Sequence, residues 1–305
     1  MIPRGETGNR AYRSVPTHER STVVAAFVAL RPRQWLKNLL LFAGIIFAAE
    51  IDDPQRWLQA CVAFVAYCAA SSAAYLLNDL RDAEADRLHP VKRIRPIATG
   101  ELAVGPAVLL AGVLLVGAFG AAAWLGSASV LCLGCFVGVQ AAYSVWLKHV
   151  VVADVLAIAL LFVLRAAAGA IAVDVRISPW LLVCTGLLAL FLALGKRRAE
   201  LTLVESRLTP GRQVLHRYSA GTLDRMLVAV AVTAACAYVL YTLTARDSYG
   251  LVVTVPFVIF GLARYLRLLR TQEAGEEPEN VLLGDAPILI TVSAWAVTCA
   301  VILAA

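Results

Sequence analysis

Read for apolar and polar positions, the chain is a succession of long apolar runs separated by short polar breaks. The runs cover residues 35–50, 57–78, 102–124, 127–146, 150–173, 179–195, 225–244, 249–266 and 285–305. A helix needs roughly 20 apolar residues to cross a bilayer, and most of these runs approach that length. The pattern predicts an all-α integral membrane protein with nine transmembrane helices and little room for a soluble domain. Residues 1–20 are polar, rich in Arg and Pro, and lack the apolar core of a signal peptide. They read as a disordered cytoplasmic tail, and residues 21–305 as a single transmembrane domain.

Composition agrees with this reading. Hydrophobic residues make up 60% and charged residues 16% of the chain, with a mean hydropathy of +0.76, whereas soluble proteins carry about 25% charge. If the N-terminus is placed inside, twenty-three of the 27 basic residues fall on the cytoplasmic side; Arg56, Arg176 and Arg246 fall opposite, and Arg165 within a span. That asymmetry sets the orientation. It also accounts for the net charge of +6 through an anionic leaflet and without nucleic acid. The seven cysteines, Cys61, Cys68, Cys132, Cys135, Cys184, Cys236 and Cys299, all lie in apolar runs. They read as packing residues, the Cys132/Cys135 pair included.

The second run ends in the pattern NDxxDxxxD, with Asn78, Asp79, Asp82 and Asp86. At 100° per residue, Asp82 lies about 60° and Asp86 about 20° from Asp79, so the three carboxylates share one helical stripe. Clustered carboxylates repel unless a cation sits among them. Hard oxygen ligands suit Mg²⁺, which takes one or two carboxylates and completes its shell with water and phosphate oxygens. A solvated helix end paired with Arg81 and Arg87 is the plainer alternative, but ionisable groups at membrane depth are expensive and usually functional.

NDxxDxxxD after the second of nine apolar runs resembles the UbiA superfamily of intramembrane prenyltransferases. The resemblance implies nine helices around a central cavity open to the cytoplasmic face and to lipid. Three more stretches narrow it: Arg31-Pro32-Arg33-Gln34-Trp35-Leu36-Lys37-Asn38, residues 89–98 from His89 to Ala98, and Lys196-Arg197-Arg198-Ala199-Glu200-Leu201. Together they resemble the polyprenyl-phosphate phosphoribosyltransferases within that superfamily, from about Ala29 to the C-terminus. The superfamily's usual second aspartate motif, after the sixth span, is replaced here by the Lys-Arg-Arg-Ala-Glu stretch. Trading carboxylates for cations exchanges a metal-mediated phosphate grip for a direct one.

The resemblance implies Mg²⁺ as cofactor, held by Asn78, Asp82 and Asp86, with Asp79, Asp82 and Asp86 as the catalytic set. Substrate contacts are expected from Lys37, Asn38, Lys92, Arg93, Arg95, Tyr143, Lys148, Lys196, Arg197 and Glu200. Positive-inside charge alone would also account for the cations of residues 92–95 and 196–198, and an interfacial Tyr, Trp and Lys belt would account for Tyr143 and Lys148. The two His-Pro and Arg-Pro pairs, at 89–90 and 95–96, predict an extended arc between them that wraps a phosphate. Asp154 and Arg165, within the fifth run, are expected to face the bundle interior. Eleven residues apart, they are too distant to pair; Arg165 either meets a lipid phosphate or ties two helices. Glu276, Glu277 and Glu279 read as solvated charge.

The implied reaction is transfer of 5-phosphoribose from 5-phosphoribosyl 1-diphosphate to a long-chain polyprenyl (decaprenyl) phosphate, in a bacterial inner membrane with the active site facing the cytoplasm. Its place is a pathway to cell-wall arabinan. The partners are then the soluble donor, the lipid phosphate and the membrane itself, with room for a homo-oligomer. Two alternatives stand beside it: a prenyl transfer from a prenyl diphosphate to an aromatic or other acceptor, and an anionic lipid transporter.

Overall fold

A computed structural model describes residues 20–47, 52–89, 91–205, 219–244, 249–271, 281 and 284–304. All but the last residue of the expected tail, the basic residues Arg207, Arg212, Arg217 and Arg246, and the Glu276, Glu277 and Glu279 group lie outside these. The described residues contain no β-strand. In chain order they form α1 (Thr22–Ala29), a 3-10 segment (Pro32–Phe42), α2 (Ala43–Phe47), α3 (Pro54–Arg81), α4 (Ala83–Leu88) and α5 (Pro96–Thr99). Then follow α6 (Val104–Leu125), α7 (Ser127–Val145), α8 (Ala153–Ala172), α9 (Pro179–Glu205), α10 (Ala220–Thr244), α11 (Val255–Arg270) and α12 (Ala286–Ala304). Eight of these, α3 and α6 to α12, with α11 extended by its preceding 3-10 turn Tyr249–Thr254, are long and apolar enough to cross a membrane. The chain is a multi-pass membrane protein.

Local chemistry explains where the spans start and turn. Asp53 caps α3, accepting from the Gln55 amide at 2.8 Å, and Pro54 occupies the first helical position. Between α6 and α7 a single residue reverses the chain: Gly126, at φ +122°, a conformation that side-chain-bearing residues rarely adopt. The outward face of α6 leaves Val108, Leu109, Val113 and Val116 exposed, as a lipid-facing helix should. Packing joins α3 to α6, α8 to both α7 and α9, and α9 to α10.

The first expected span, 35–50, departs from a single transmembrane α-helix. Its first half is the 3-10 segment, followed by the five residues of α2. With three residues per turn, side chains at i and i+3 align, and this divides the segment into rows. Gln34, Lys37 and Leu40, continued by Arg31 before and Ala43 after, line a cavity. Trp35, Asn38 and Leu41 form a second row turned into the protein. Trp35 Nε1 donates to Ser72 Oγ at 3.0 Å, Asn38 Nδ2 lies 3.2 Å from Cys68 Sγ, and Leu41 is fully buried.

This inward row sits close to α8 because α8 carries glycine at the contact. A Cβ on Gly169 would lie 2.0 Å from the Leu41 carbonyl oxygen, and one on Gly44 2.6 Å from the Ala170 amide nitrogen. Both obstacles are backbone atoms, so no side chain can swing away. Gly169→Ala is therefore expected to destabilise the fold by about 1–3 kcal/mol, the usual cost of overpacking, read as a lowered melting temperature in detergent. An alanine variant that melts with the wild type would show that the segment is not seated against α8.

Candidate active site

A cavity of about 2310 Å³ runs into the bundle, lined at one end by the acidic motif and further in by Phe162, Leu188, Leu192, Leu262, Val292 and Ala296. One end is ionic and the other apolar, the division an amphiphilic ligand requires.

At the ionic end α3 stops at Arg81, and Asp82 (φ −92°, ψ 6°) breaks the helix before α4 resumes. The carboxylate stripe is bent there, yet it remains one surface. Asp79 Oδ1 accepts from Arg31 Nη2 at 2.6 Å and from Arg95 Nη1 at 3.1 Å, and the same Arg95 nitrogen reaches Asp86 Oδ2 at 2.6 Å. Lys148 Nζ lies 3.3 Å from Asp82 Oδ2. Asn78 Oδ1 takes a short hydrogen bond from the Ser144 hydroxyl. The cations expected among the carboxylates are thus supplied by the protein's own Arg31, Arg95 and Lys148. Among the described residues no three Asp, Glu, His or Cys side chains converge on one point.

Asn78, Asp82 and Asp86 nevertheless all line the cavity within about two helical turns of sequence. A hard donor set of this kind fits Mg²⁺, which needs only one or two carboxylates when phosphate and water supply the rest. Asp82 is the least encumbered of them, with a lysine at 3.3 Å as its ion pair.

Arg31 is held in the left-handed region at φ 55°, a conformation that costs a non-glycine residue of order 1–3 kcal/mol. Its bond to Asp79 and the stacking of its guanidinium 4.8 Å over the Tyr75 ring offset that strain. Tyr75 in turn donates to Gln34 Oε1 at 3.3 Å, and Lys37 Nζ donates to the same oxygen at 2.6 Å. Arg31, Gln34, Tyr75 and Ser144 thereby join the site without having been selected from the sequence. The signal was present for Arg31, which opens one of the diagnostic stretches three residues before Gln34 and six before Lys37.

Several expected contacts are placed elsewhere. Lys37, Lys92, Arg95, Tyr143, Lys148, Lys196 and Glu200 line the cavity. Asn38, Arg93 and Arg197 do not. Arg93 is exposed on a 3-10 turn, Lys92–Ile94, which replaces the extended arc. Both residues that precede proline keep the predicted extended backbone: His89 at φ −84°, ψ 131° and Arg95 at φ −66°, ψ 139°.

Arg197, expected to grip a phosphate, is wholly buried. Its Nε lies 2.9 Å from Asp154 Oδ2, Nη1 donates to Glu200, and Nη2 donates to Tyr143 Oη at 3.1 Å. A buried guanidinium is tolerated only where carboxylates neutralise it, and here Asp154 and Glu200 both do so. Lys196, the preceding residue, is turned 100° away on α9 and takes the cavity wall instead. Arg198, whose charge the positive-inside pattern alone would account for, ties α9 to α10 through Asp224 at 2.8 Å.

Residues 38–283 match the UbiA prenyltransferase family. The chain belongs to that family. Among relatives, this UbiA family member is similar to the decaprenyl-phosphate phosphoribosyltransferase of Mycolicibacterium smegmatis, 37% identical over 292 residues covering 90% of this chain and 91% of the relative. It is also similar to that of Mycobacterium tuberculosis, 34% identical over 293 residues, 93% of this chain and 96% of the relative. Its fold matches a UbiA homolog from Archaeoglobus fulgidus bound to GPP and Mg²⁺, with a TM-score of 0.72 at 19% identity, covering 92% of this chain and all of that one.

The loop after the acidic motif carries a titratable group. His89 Nδ1 accepts from the amides of Val91 and Lys92, at 3.2 and 3.3 Å. Burial, and then the neighbouring Lys92 charge, hold the imidazole below its ordinary value, with Asp86 pulling the other way. A depressed basic pKa means that protons bind the opened loop more readily than the closed one, so the loop is unpenalised above about pH 6.5 and loosens as pH falls below it. Amide protection factors at Val91 and Lys92 are expected to drop between about pH 7.5 and about pH 5.5. Constant protection across that range would show that Nδ1 does not hold the turn.

Proposed function

We propose that this protein transfers the 5-phosphoribosyl group of 5-phosphoribosyl 1-diphosphate to a long-chain polyprenyl phosphate such as decaprenyl phosphate, releasing diphosphate. The step serves a pathway to cell-wall arabinan. The observation that carries this reading is the cationic lining of the cavity's ionic end. Lys148 and Lys196 face the cavity there, while the two carboxylates of that side, Asp154 and Glu200, are consumed by Arg197. A second metal-binding carboxylate pair is not available from them, whereas a donor with an additional phosphate meets direct cationic contacts. The names of the two relatives above point the same way.

In this reading an oxygen of the lipid phosphate attacks the anomeric carbon of the donor. The bond from that carbon to the diphosphate oxygen breaks, and the electron pair leaves with diphosphate. A phosphate monoester is already anionic at neutral pH, so no strong general base is required. The work of the site is alignment and charge stabilisation. Asn78, Asp82 and Asp86 would hold Mg²⁺, which when bound supplies positive charge to the departing diphosphate. Lys92, Arg95, Lys148 and Lys196 surround the donor's phosphates, and Arg31 fixes Asp79. The cation-rich end faces the cytoplasm of a bacterial plasma membrane, where a soluble sugar diphosphate is at hand.

Membranes containing the protein are expected to convert phosphoribosyl diphosphate and polyprenyl phosphate into a lipid-linked ribose phosphate. Lys196→Ala should weaken donor use roughly ten- to hundredfold, the value of a lost charge-assisted contact. Arg197→Ala should instead lower stability, since it strands buried Asp154 and Glu200. Prenyl transfer from a prenyl diphosphate to an aromatic acceptor, in place of ribose transfer, would overturn the assignment.

Metal dependence is tested separately. Asp82→Asn and Asp86→Asn should each nearly abolish turnover in a protein that still folds, and a chelator should reproduce the loss. A variant retaining most of its activity at saturating Mg²⁺ would move the metal away from that carboxylate.

A further inference from the structure

The bundle buries two arginines, and they are treated differently. Arg197 is neutralised by Asp154 and Glu200. Arg165, on α8 and 4% exposed, has no carboxylate within ion-pair distance among the described residues. Its Nε donates to Asn38 Oδ1 at 2.7 Å, and its Nη1 donates to the Leu161 carbonyl at 3.0 Å. The guanidinium also lies over two aromatic rings, with the Phe136 centroid 4.6 Å away and that of Phe162 at 5.4 Å. These contacts fix the group and occupy Nε and Nη1, but they leave its unit charge uncompensated. Nη2 makes no hydrogen bond among the described residues, and the side chain lines the cavity. An unpaired charge in so apolar a setting is strongly unfavourable unless an anion joins it.

Depth identifies the anion. Ser144 bonds Asn78, its neighbour Tyr143 bonds Arg197, and Arg197 bonds Asp154, so one network of contacts links Asn78 and Asp154 at the ionic level of the cavity. The Arg165 side chain runs back along α8 to the Leu161 carbonyl, toward that level. Leu161 is seven residues beyond Asp154, about 10 Å deeper. The guanidinium therefore lies below the acidic turn, with the donor's sugar able to fit between them, and Phe162 of the cavity's apolar wall borders it. An anion at this depth must bring its own apolar tail.

We propose that Arg165 is the intramembrane binding residue for the phosphate headgroup of the lipid acceptor, oriented by Asn38. This rests on the function proposed above, whose donor occupies the space nearer the cytoplasm. Asn38 is then a positioning residue for that guanidinium, a different role from the direct substrate contact expected from the sequence.

The test measures binding without turnover, by native mass spectrometry of detergent-solubilised protein given polyprenyl phosphate, the neutral polyprenol, or phosphoribosyl diphosphate alone. Wild-type protein should retain the lipid phosphate at least tenfold better than the alcohol. Arg165→Met should lose that preference while still binding the alcohol and the donor. Asn38→Asp keeps the side-chain shape but places a carboxylate on Arg165; it should lose the preference too and, in a separate turnover assay, raise the KM for lipid phosphate at unchanged donor KM.

Three results would overturn the proposal: equal retention of phosphate and alcohol by the wild type, an undiminished preference in a folded variant, or loss of donor binding in place of lipid binding. The first needs no variant and stands even if neither substitution folds. Because the retention measurement itself involves no transfer, a lipid-phosphate preference in a protein that fails to transfer ribose would remove the assigned reaction and leave the Arg165 site in place.

Discussion

Charge at membrane depth must be neutralised, and much of this architecture follows from how that is done. An ionised side chain in an apolar surround costs several kcal/mol even after relaxation. Asp79, buried at the end of a transmembrane helix, is met by Arg31 and Arg95; Arg197 is met by Asp154 and Glu200. Arg31 and Asp79, like Arg197 and Asp154, belong to elements remote in sequence. The first pairing clamps the chain before the 3-10 segment onto α3, and the second locks α9 against α8. The ionic groups that line the cavity are also the fasteners of the ionic end of the bundle.

Those two roles divide neighbouring residues. On α9 Arg197 turns inward to its carboxylates, and Lys196, one position earlier, consequently presents its ammonium to the cavity. On the acidic side Asp79 is held by two arginines, while Asp82, at the break between α3 and α4, keeps a looser partner in Lys148. The bundle separates residues that fasten it from residues that face the cavity by rotating along a helix.

How much of this could be read beforehand depended on the range of the interaction. The eight long spans were legible because crossing a bilayer imposes a length and an apolar composition that no tertiary contact can override. The acidic motif was legible because three carboxylates gathered at the end of a span repel one another and lose hydration, a cost that only neighbouring cations can offset. The partners of Arg197 were not, since Asp154 lies on another helix and the pairing depends on how α8 and α9 are rotated about their axes. Residues 35–50 differ from the expected span for another reason: an apolar run fixes burial but not helix type. The spacing of Arg31, Gln34 and Lys37 at every third position was the available sign of a three-residue turn, and it is easily taken for one edge of an α-helical stripe.

That three-residue turn makes the segment a ruler as well as a wall. Its eleven residues, Pro32–Phe42, rise about 2.0 Å each, so they extend over about 22 Å where an α-helix would cover roughly 16 Å. Each step turns the chain by about 120°. A deletion ahead of Asn38 would bring Asn38 and Leu41 to the positions of Lys37 and Leu40 in the cavity wall, and an insertion ahead of Lys37 would bring Lys37 to the position of Asn38, against α3 and α8. An insertion of three would restore the rows and only lengthen the ruler. The segment can thus vary in length only in whole turns, a constraint on sequence change that no single side chain in it would reveal.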